Sequence, residues 1–355
     1  MSERKKAALP RYGEYNCAMK YIVEQGFGYE CLLPPPLTKR SEELGAKNSP
    51  DLVCTPFKTT LGSMIEALEA GADMIIMVYG ACRLNYYAEL QEQILRDLGY
   101  TFEFVNLSLY NTGKKRDILR AMKAINPGAN LAKAVRAFLD AARMVEHLDE
   151  ITGLYYQSCG FDPTGTCPKV YRRFLADMYA ASSATDIRKG YETAKAGFAA
   201  VPLEKPSDPI RVGVLGEYYT VMDPFSNLEI EQKLADMGVE VHRWMNLTND
   251  ILRNQGKMQQ AAIRERSLFS MGGNATADIW QAQSFADMGF DGLVHVKSAG
   301  CTPETDVMPV LANLAQDHQI PVLYLTYDSQ TSDVGLMTRL EAFYDMIEMR
   351  KRVSR

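Results

Sequence analysis

The sequence has no apolar run approaching the roughly 18–20 residues that a membrane-crossing helix needs. It also lacks a basic excess: the net charge is −5, which argues against a nucleic-acid or membrane-surface partner. Met1–Gly13 carries charges but no apolar stretch behind them, so no secretory leader is expected and the default compartment is the cytoplasm. There is no CxxC among the seven cysteines, which counts against a zinc ribbon or a thioredoxin-type redox pair. An odd, widely spaced set also fits poorly with a secreted disulfide framework. No GxxxxGK followed by Ser or Thr occurs, and Gly213–Gly216 is only a fragment of a dinucleotide fingerprint. ATP hydrolysis, if the chain depends on it, belongs to another protein. The four histidines are scattered, and His295 falls in an expected strand, where it reads as a core or cleft residue.

What is present is ordinary core material: 46% hydrophobic and 23% charged residues over 355 positions, enough for two domains. Three regions separate. Residues 1–110 alternate apolar runs with helical patterns, 111–205 are almost wholly helical, and 206–355 return to alternation. Strands alternating with helices imply βαβ units and parallel sheets, so the expected fold class is α/β, with two lobes joined by a helical region. Leu61, Met64, Ile65 and Leu68 recur at helical spacing, Gly71 stops that helix, and Met74–Val78 reads as a buried strand. Further strands are expected at Thr101–Val105, Arg211–Leu215, Glu240–Arg243, Leu293–Val296 and Val322–Leu325. One long helical pattern covers Lys169–Ala199, and Pro202–Pro209, with three prolines, is the clearest linker.

The two α/β regions look like distant copies. Gly13-Glu14-Tyr15 returns as Gly216-Glu217-Tyr218. Gly71-Ala-Asp73 precedes a strand and Cys82, as Gly289-Phe-Asp291 precedes a strand and Cys301, with Asp-to-Cys separations of nine and ten residues. Cys54 follows the apolar Leu52–Val53 and precedes a helix. Cys54, Cys82 and Cys301 are thus expected at strand carboxyl ends, where α/β sheets form ligand crevices. Two of them share a pattern, Cys54-Thr-Pro56 and Cys301-Thr-Pro303. Proline is tolerated in a first helical turn, and a thiolate beside a helix N-terminus is favoured by the dipole. Thiolates are soft ligands that select iron–sulfur clusters, zinc or copper(I). The plain alternative is that these are small buried core residues. Cys17, Cys31, Cys159 and Cys167 read as packing residues, although Cys159 and Cys167 flank a turn and could form a pair. Around the three cysteines, Arg83 could hold an anion, while Glu217, Tyr218, Asp223, Glu304 and Asp328 fall in loops after strands. Glu217 and Glu304 are the candidate acid–base groups. Lys58 and Arg339 read as structural.

These segments resemble the 2-hydroxyacyl-CoA dehydratase group, in particular its stand-alone D-component-like and CoA-protein-activase-like members. The likeness runs through Ser49–Asp73, Gly80–Tyr100, Val212–Val241, His295–Glu304 and Pro321–Phe343. It departs at Leu84-Asn85, where an aromatic and a glycine are expected. The resemblance implies Rossmann-like lobes with an oxygen-sensitive cluster in the cleft between them, held by Cys54, Cys82 and Cys301. It implies a 4Fe–4S cluster, or in some relatives a double-cubane 8Fe–9S cluster that needs more thiolates than these three. It further implies an ASKHA-type ATPase activase as electron donor, an acyl-CoA or other small-molecule substrate, a homodimer or heterodimer, and an anaerobic setting. Two activities follow as expectations. One is a reductase or lyase whose open iron binds substrate. The other is an electron-transfer or maturation protein with no substrate of its own.

Overall fold

The structure is a computed structural model and describes residues 5–78, 87–107, 115–253, 259 and 263–353. The chain divides into two compact units, residues 1–145 with 176–189, and 146–175 with 190–355. Among the described residues each unit holds one four-stranded parallel sheet. The α/β class expected from alternation is therefore present, and no described helix is long and apolar enough to cross a membrane.

In the first unit the chain runs β1 (Lys6–Ala8), α1 (Asn16–Tyr21), β2 (Glu30–Cys31), α2 (Lys39–Lys47), α3 (Thr55–Glu69), β3 (Met74–Met77), α4 (Tyr87–Asp97) and β4 (Glu103–Asn106). Strand order is β2-β1-β3-β4, so the direction of winding reverses between β1 and β3. The apolar run of β3 serves two cores, as a strand covered on both faces requires. Ile75 and Met77 pack with Phe57, Leu61, Met64 and Leu95, while Met74 and Ile76 pack with Ala7, Val23, Phe27 and Ile125. Leu61, Met64, Ile65 and Leu68 are all buried, as their spacing predicts. Helices α2 and α3 touch through backbone: a Cβ on Gly62 would lie 1.8 Å from the Ser41 carbonyl oxygen, and one on Gly45 1.7 Å from that of Lys58. Only glycine fits at that crossing.

Helices α5 (Lys115–Ile125), α6 (Leu131–Ser158), α7 (Cys167–Ala180) and α8 (Ala184–Ala199) make up the helical region, and the division between units falls within α6, α7 and α8. The single pattern expected over Lys169–Ala199 is broken at Ser182–Ser183. There Asp186 accepts hydrogen bonds from the Ser182 amide and from both serine hydroxyls, an N-terminal cap that starts α8.

The second unit adds β5 (Ile210–Gly216), α9 (Tyr218–Met222), α10 (Ile230–Asp236), β6 (Val239–Arg243), α11 (Ala275–Asp287), β7 (Gly292–Ser298), α12 (Thr302–Asp317), β8 (Val322–Tyr327) and α13 (Asp333–Val353). Its order, β6-β5-β7-β8, repeats that of the first sheet. Helix α11 was not among the sequence expectations.

The expected repeat has a structural counterpart. Gly71 and Gly289 both take positive φ, and each ends a helix with the following amide bonded back to a carbonyl five residues earlier, Ala72 to Ala67 and Phe290 to Phe285. The next residue is the aspartate. Asp73 accepts the Lys6 amide at 2.8 Å, and Asp291 accepts the Arg211 amide at 2.8 Å. Their own amides donate back to the carbonyls of Lys6 and Arg211. Registers then agree, Ala7 facing Met74 and Val212 facing Gly292.

One expectation fails. Leu52–Val53 is a turn and not a strand, and Leu52 is 96% exposed. The pair is flanked by Asp51 and the Cys-Thr-Pro cap, which turn the chain directly into α3. Cys54 therefore follows a turn and not a strand end.

Candidate functional site

Cys82 and Arg83 lie outside the described residues. Cys54 and Cys301 occupy the same local setting. Each is the N-cap of a helix, with extended backbone (φ −66°, ψ 159° and φ −83°, ψ 104°), and each is followed by threonine and then proline in the first turn. Both are half-buried. Neither side chain caps the first-turn amides, but the dipole at a helix N-terminus favours negative charge nearby. The Cys54 thiol lies 3.7 Å from the Tyr87 hydroxyl, and Tyr87 packs edge-on against Phe57 at 4.8 Å.

The other described cysteines are shielded. Burial pushes the thiols of Cys31 and Cys167 up to about 12 and raises that of Cys17 further. Burial, followed by the nearby Cys167, raises Cys159 to about 12. None of the six described cysteines forms a disulfide. Raised thiol pKa opposes the thiolate that a metal ligand must be, so these four are poorer candidates than the two N-caps.

Around Cys301 the second sheet builds a polar cluster. Winding reverses between β5 and β7, and Glu217 follows β5 while Cys301 follows β7, so both lie at the crevice that such a reversal opens. The Glu217 amide donates to Val296 of β7 at 2.8 Å, and its carboxylate caps α9, accepting the amides of Tyr219 and Thr220 at 2.9 Å each and the Thr220 hydroxyl. Burial raises its pKa, and these three bonds pull it back. The Cys301 amide donates to Ser298, and its carbonyl accepts the Thr305 hydroxyl at 2.9 Å. That hydroxyl in turn accepts from the Lys297 ammonium at 3.0 Å.

Beneath this rim lie Asp278 from α11, His295 from β7 and Glu304 from the first turn of α12, exposed by 0%, 0% and 1%. Gly216 shapes the approach: its φ is +135°, and a Cβ there would lie 1.9 Å from the Val296 carbonyl oxygen. Its amide donates to Asp278 Oδ1 at 3.1 Å. His295 Nε2 lies 2.9 Å from Glu304 Oε2, and one ligating atom from each of the three residues falls within 4.8 Å of the others. Burial lowers His295 to about 4, which favours the neutral imidazole, and one proton lies between its Nε2 and Glu304, the donor following from the tautomer. Burial raises Glu304 to about 7, with the Glu217 charge adding to the rise. Asp278 is raised well above the carboxylate range, by burial first and then by Glu304. Asp278 and Glu304 also lie within hydrogen-bond reach of each other, and among the described residues no partner meets His295 Nδ1.

The remaining sequence candidates serve local structure. Asp223 accepts the Ser226 amide, and Asp328 closes a turn with Gln330 and Thr331. The Lys58 ammonium donates to the Asp51 carbonyl, and Arg339 donates to the Tyr324 carbonyl, as structural residues would. Asp278 is the residue that sequence reasoning missed. Its signal is a lone acid amid Ala275, Ala277, Ile279, Ala282 and Phe285, the buried face of α11. No known family model matches the chain, and no curated protein matches it.

Proposed function

We propose that the chain is an iron–sulfur protein of an ATP-dependent, low-potential reductase or dehydratase system, with Cys54, Cys82 and Cys301 as cluster ligands. The observation that carries the reading is the repeated Cys-Thr-Pro helix cap. Two half-buried thiols stand at helix N-termini, the electropositive setting that favours thiolate, while burial raises the other four described thiols. Zinc is disfavoured by the absence of any CxxC or Cys–His spacing. A cluster held by three cysteines supplies an electron and an iron with an open position.

The chain's own residues would do the rest. Glu217, at the end of β5, is the acid–base group nearest the crevice rim, and Lys297 and Thr305 fix the start of the helix that presents Cys301. With no ATP-binding motif in the sequence, energy to drive electrons into the site comes from an ATPase partner. An acyl-CoA or another small molecule is the substrate class. The burial of Glu304 favours a second reading, an electron carrier with no substrate, because it removes one of the acids expected to face a substrate.

Anaerobic iron and sulfide quantification tests the assignment. Cys54→Ala, Cys82→Ala and Cys301→Ala should each lose iron relative to the parent protein. If all three keep full iron, or if the parent protein is colourless and iron-free, the reading fails. A substrate-induced change in the cluster's EPR signal would select the enzyme over the carrier.

A further inference from the structure

We infer that Asp278, His295 and Glu304 form a second, separate metal site that takes a divalent first-row ion such as Mn²⁺ or Zn²⁺. The reasoning starts from charge. Two carboxyl groups and an imidazole meet with no solvent contact, and the cation acting on them, Lys297, has its ammonium engaged by Thr305. Like carboxyls this close cannot both ionise alone. A proton shared between Asp278 and Glu304, which lie within hydrogen-bond reach of each other, would relieve their repulsion, yet it would leave the fully buried His295 Nδ1 without a partner among the described residues. A divalent cation would neutralise both acids at once and take a lone pair from each of the three groups.

The donor set also selects the ion. One imidazole and two carboxylates suit manganese, iron or zinc, whereas calcium and magnesium prefer all-oxygen sites and copper(I) prefers sulfur. The ligands come from three regular elements, α11, β7 and α12, which hold their positions better than loops would. Asp278 has its outer support in place, because the Gly216 amide occupies Oδ1 and turns the other oxygen inward. Glu217 is not part of the set: its carboxylate is already taken up by Tyr219 and Thr220. With all three ligands buried, the ion's role is structural. It would pin the first turn of α12, and hence Cys301, to β7 and α11.

The test uses the full-length protein, stripped with chelator, and Mn²⁺ read by EPR with Zn²⁺ checked by metal analysis. The parent protein and Cys301→Ala should each bind one ion, and Asp278→Asn and Glu304→Gln should bind more than about 100-fold more weakly, since losing a ligand exceeds the loss of an outer-shell support. Asp278→Asn keeps an acceptor for the Gly216 amide and removes one of two like charges, so it should fold, as circular dichroism would verify. Saturating Mn²⁺ should raise the thermal midpoint of the parent and leave that of Asp278→Asn unmoved. A parent protein that takes up neither ion, as a cluster satisfied by protons alone would, overturns the inference. So do carboxylate variants with parental affinity. Because Cys301→Ala should lose iron and keep Mn²⁺, failure of the thiolate assignment and failure of this one give different results.

Discussion

Four residues beyond its anchoring aspartate, β3 carries Met77 and β7 carries His295; eleven residues before its terminal glycine, α3 carries Thr60 and α11 carries Asp278. The two sheets share strand order, register, aspartate anchor and glycine cap, but these matched positions differ in kind. In the first unit Thr60 accepts from Gln91 at 2.8 Å, and Gln91 also donates to Phe57, a neutral bridge between α3 and α4. In the second the matched groups are ionisable and buried. At these matched positions the first unit holds the same frame with neutral groups, avoiding the desolvation cost of a buried charge. The ionisable groups at these positions of the second unit are therefore not required by the shared frame. A further difference lies at the helix crossing, where the counterpart of Gly62 is Trp280, packed on Trp244 at 5.7 Å.

The largest effect that could break this comparison comes from Gly62→Ala. Its Cβ would collide with a carbonyl oxygen, so the first unit should lose more than about 3 kcal/mol in urea unfolding followed by circular dichroism. If the variant is tolerated, the backbone crossing of α2 and α3 is not a distinguishing constraint. Next comes Met77→His, which places the second unit's residue in the first. Without an acid to receive it, the buried imidazole should cost about 2–3 kcal/mol, and a loss near zero would mean the first unit already offers a partner.

The anchors differ more finely. Asp291 accepts the Arg211 amide and the Lys351 ammonium at 3.0 Å, whereas the more exposed Asp73 accepts the Lys6 amide. Asp291→Ala should cost about 2 kcal/mol and Asp73→Ala about 1 kcal/mol, and equal losses would show that Lys351 adds nothing. A further effect is a pH dependence. Burial works against the Glu240 charge, but hydrogen bonds from His242 and Lys205 outweigh it and hold the pKa at about 2. Because the folded pKa lies below the unfolded one, this stabilisation is present above about pH 4.5 and is lost as pH falls through about 2. After allowance for solvent screening it amounts to about 1 kcal/mol, so the Glu240→Gln penalty should fade across that window in acid titration of stability. The exposed Lys5–Glu103 pair of the first unit should show under about 0.5 kcal/mol on Glu103→Gln.

Much of the fold was legible because parallel strands buried on both faces read as apolar runs, and because glycine followed by aspartate marks the same turn twice. β1 and β2 are two or three residues long and leave only a faint pattern. Helix α11 escaped notice because its buried face includes Asp278 and Gln281, which interrupt the apolar period. The reverse error occurred at Leu52–Val53, where two apolar residues suggested a strand in an exposed turn. Of the candidate site, Cys54, Cys301, Glu217 and Glu304 were chosen from local pattern, and the structure sets Cys54 and Cys301 as helix caps and Glu217 at a strand end. The pairing of Glu304 with His295 and Asp278 was not readable, since it depends on three elements meeting across separations that no local period encodes.

The Cys-Thr-Pro caps also set an order of events in time. Alkylation and oxidation both proceed through thiolate, and a helix N-terminus raises the thiolate fraction. Cys167 also starts a helix, but burial raises its thiol with those of Cys17, Cys31 and Cys159, so in protein stripped of any metal iodoacetamide or dissolved oxygen should reach the half-buried Cys54 and Cys301 first. Peptide mapping over minutes would record the two Cys-Thr-Pro caps as the first modified positions among these six. Handling in air would then consume these two thiols while the rest of the fold, and its circular dichroism, stayed intact.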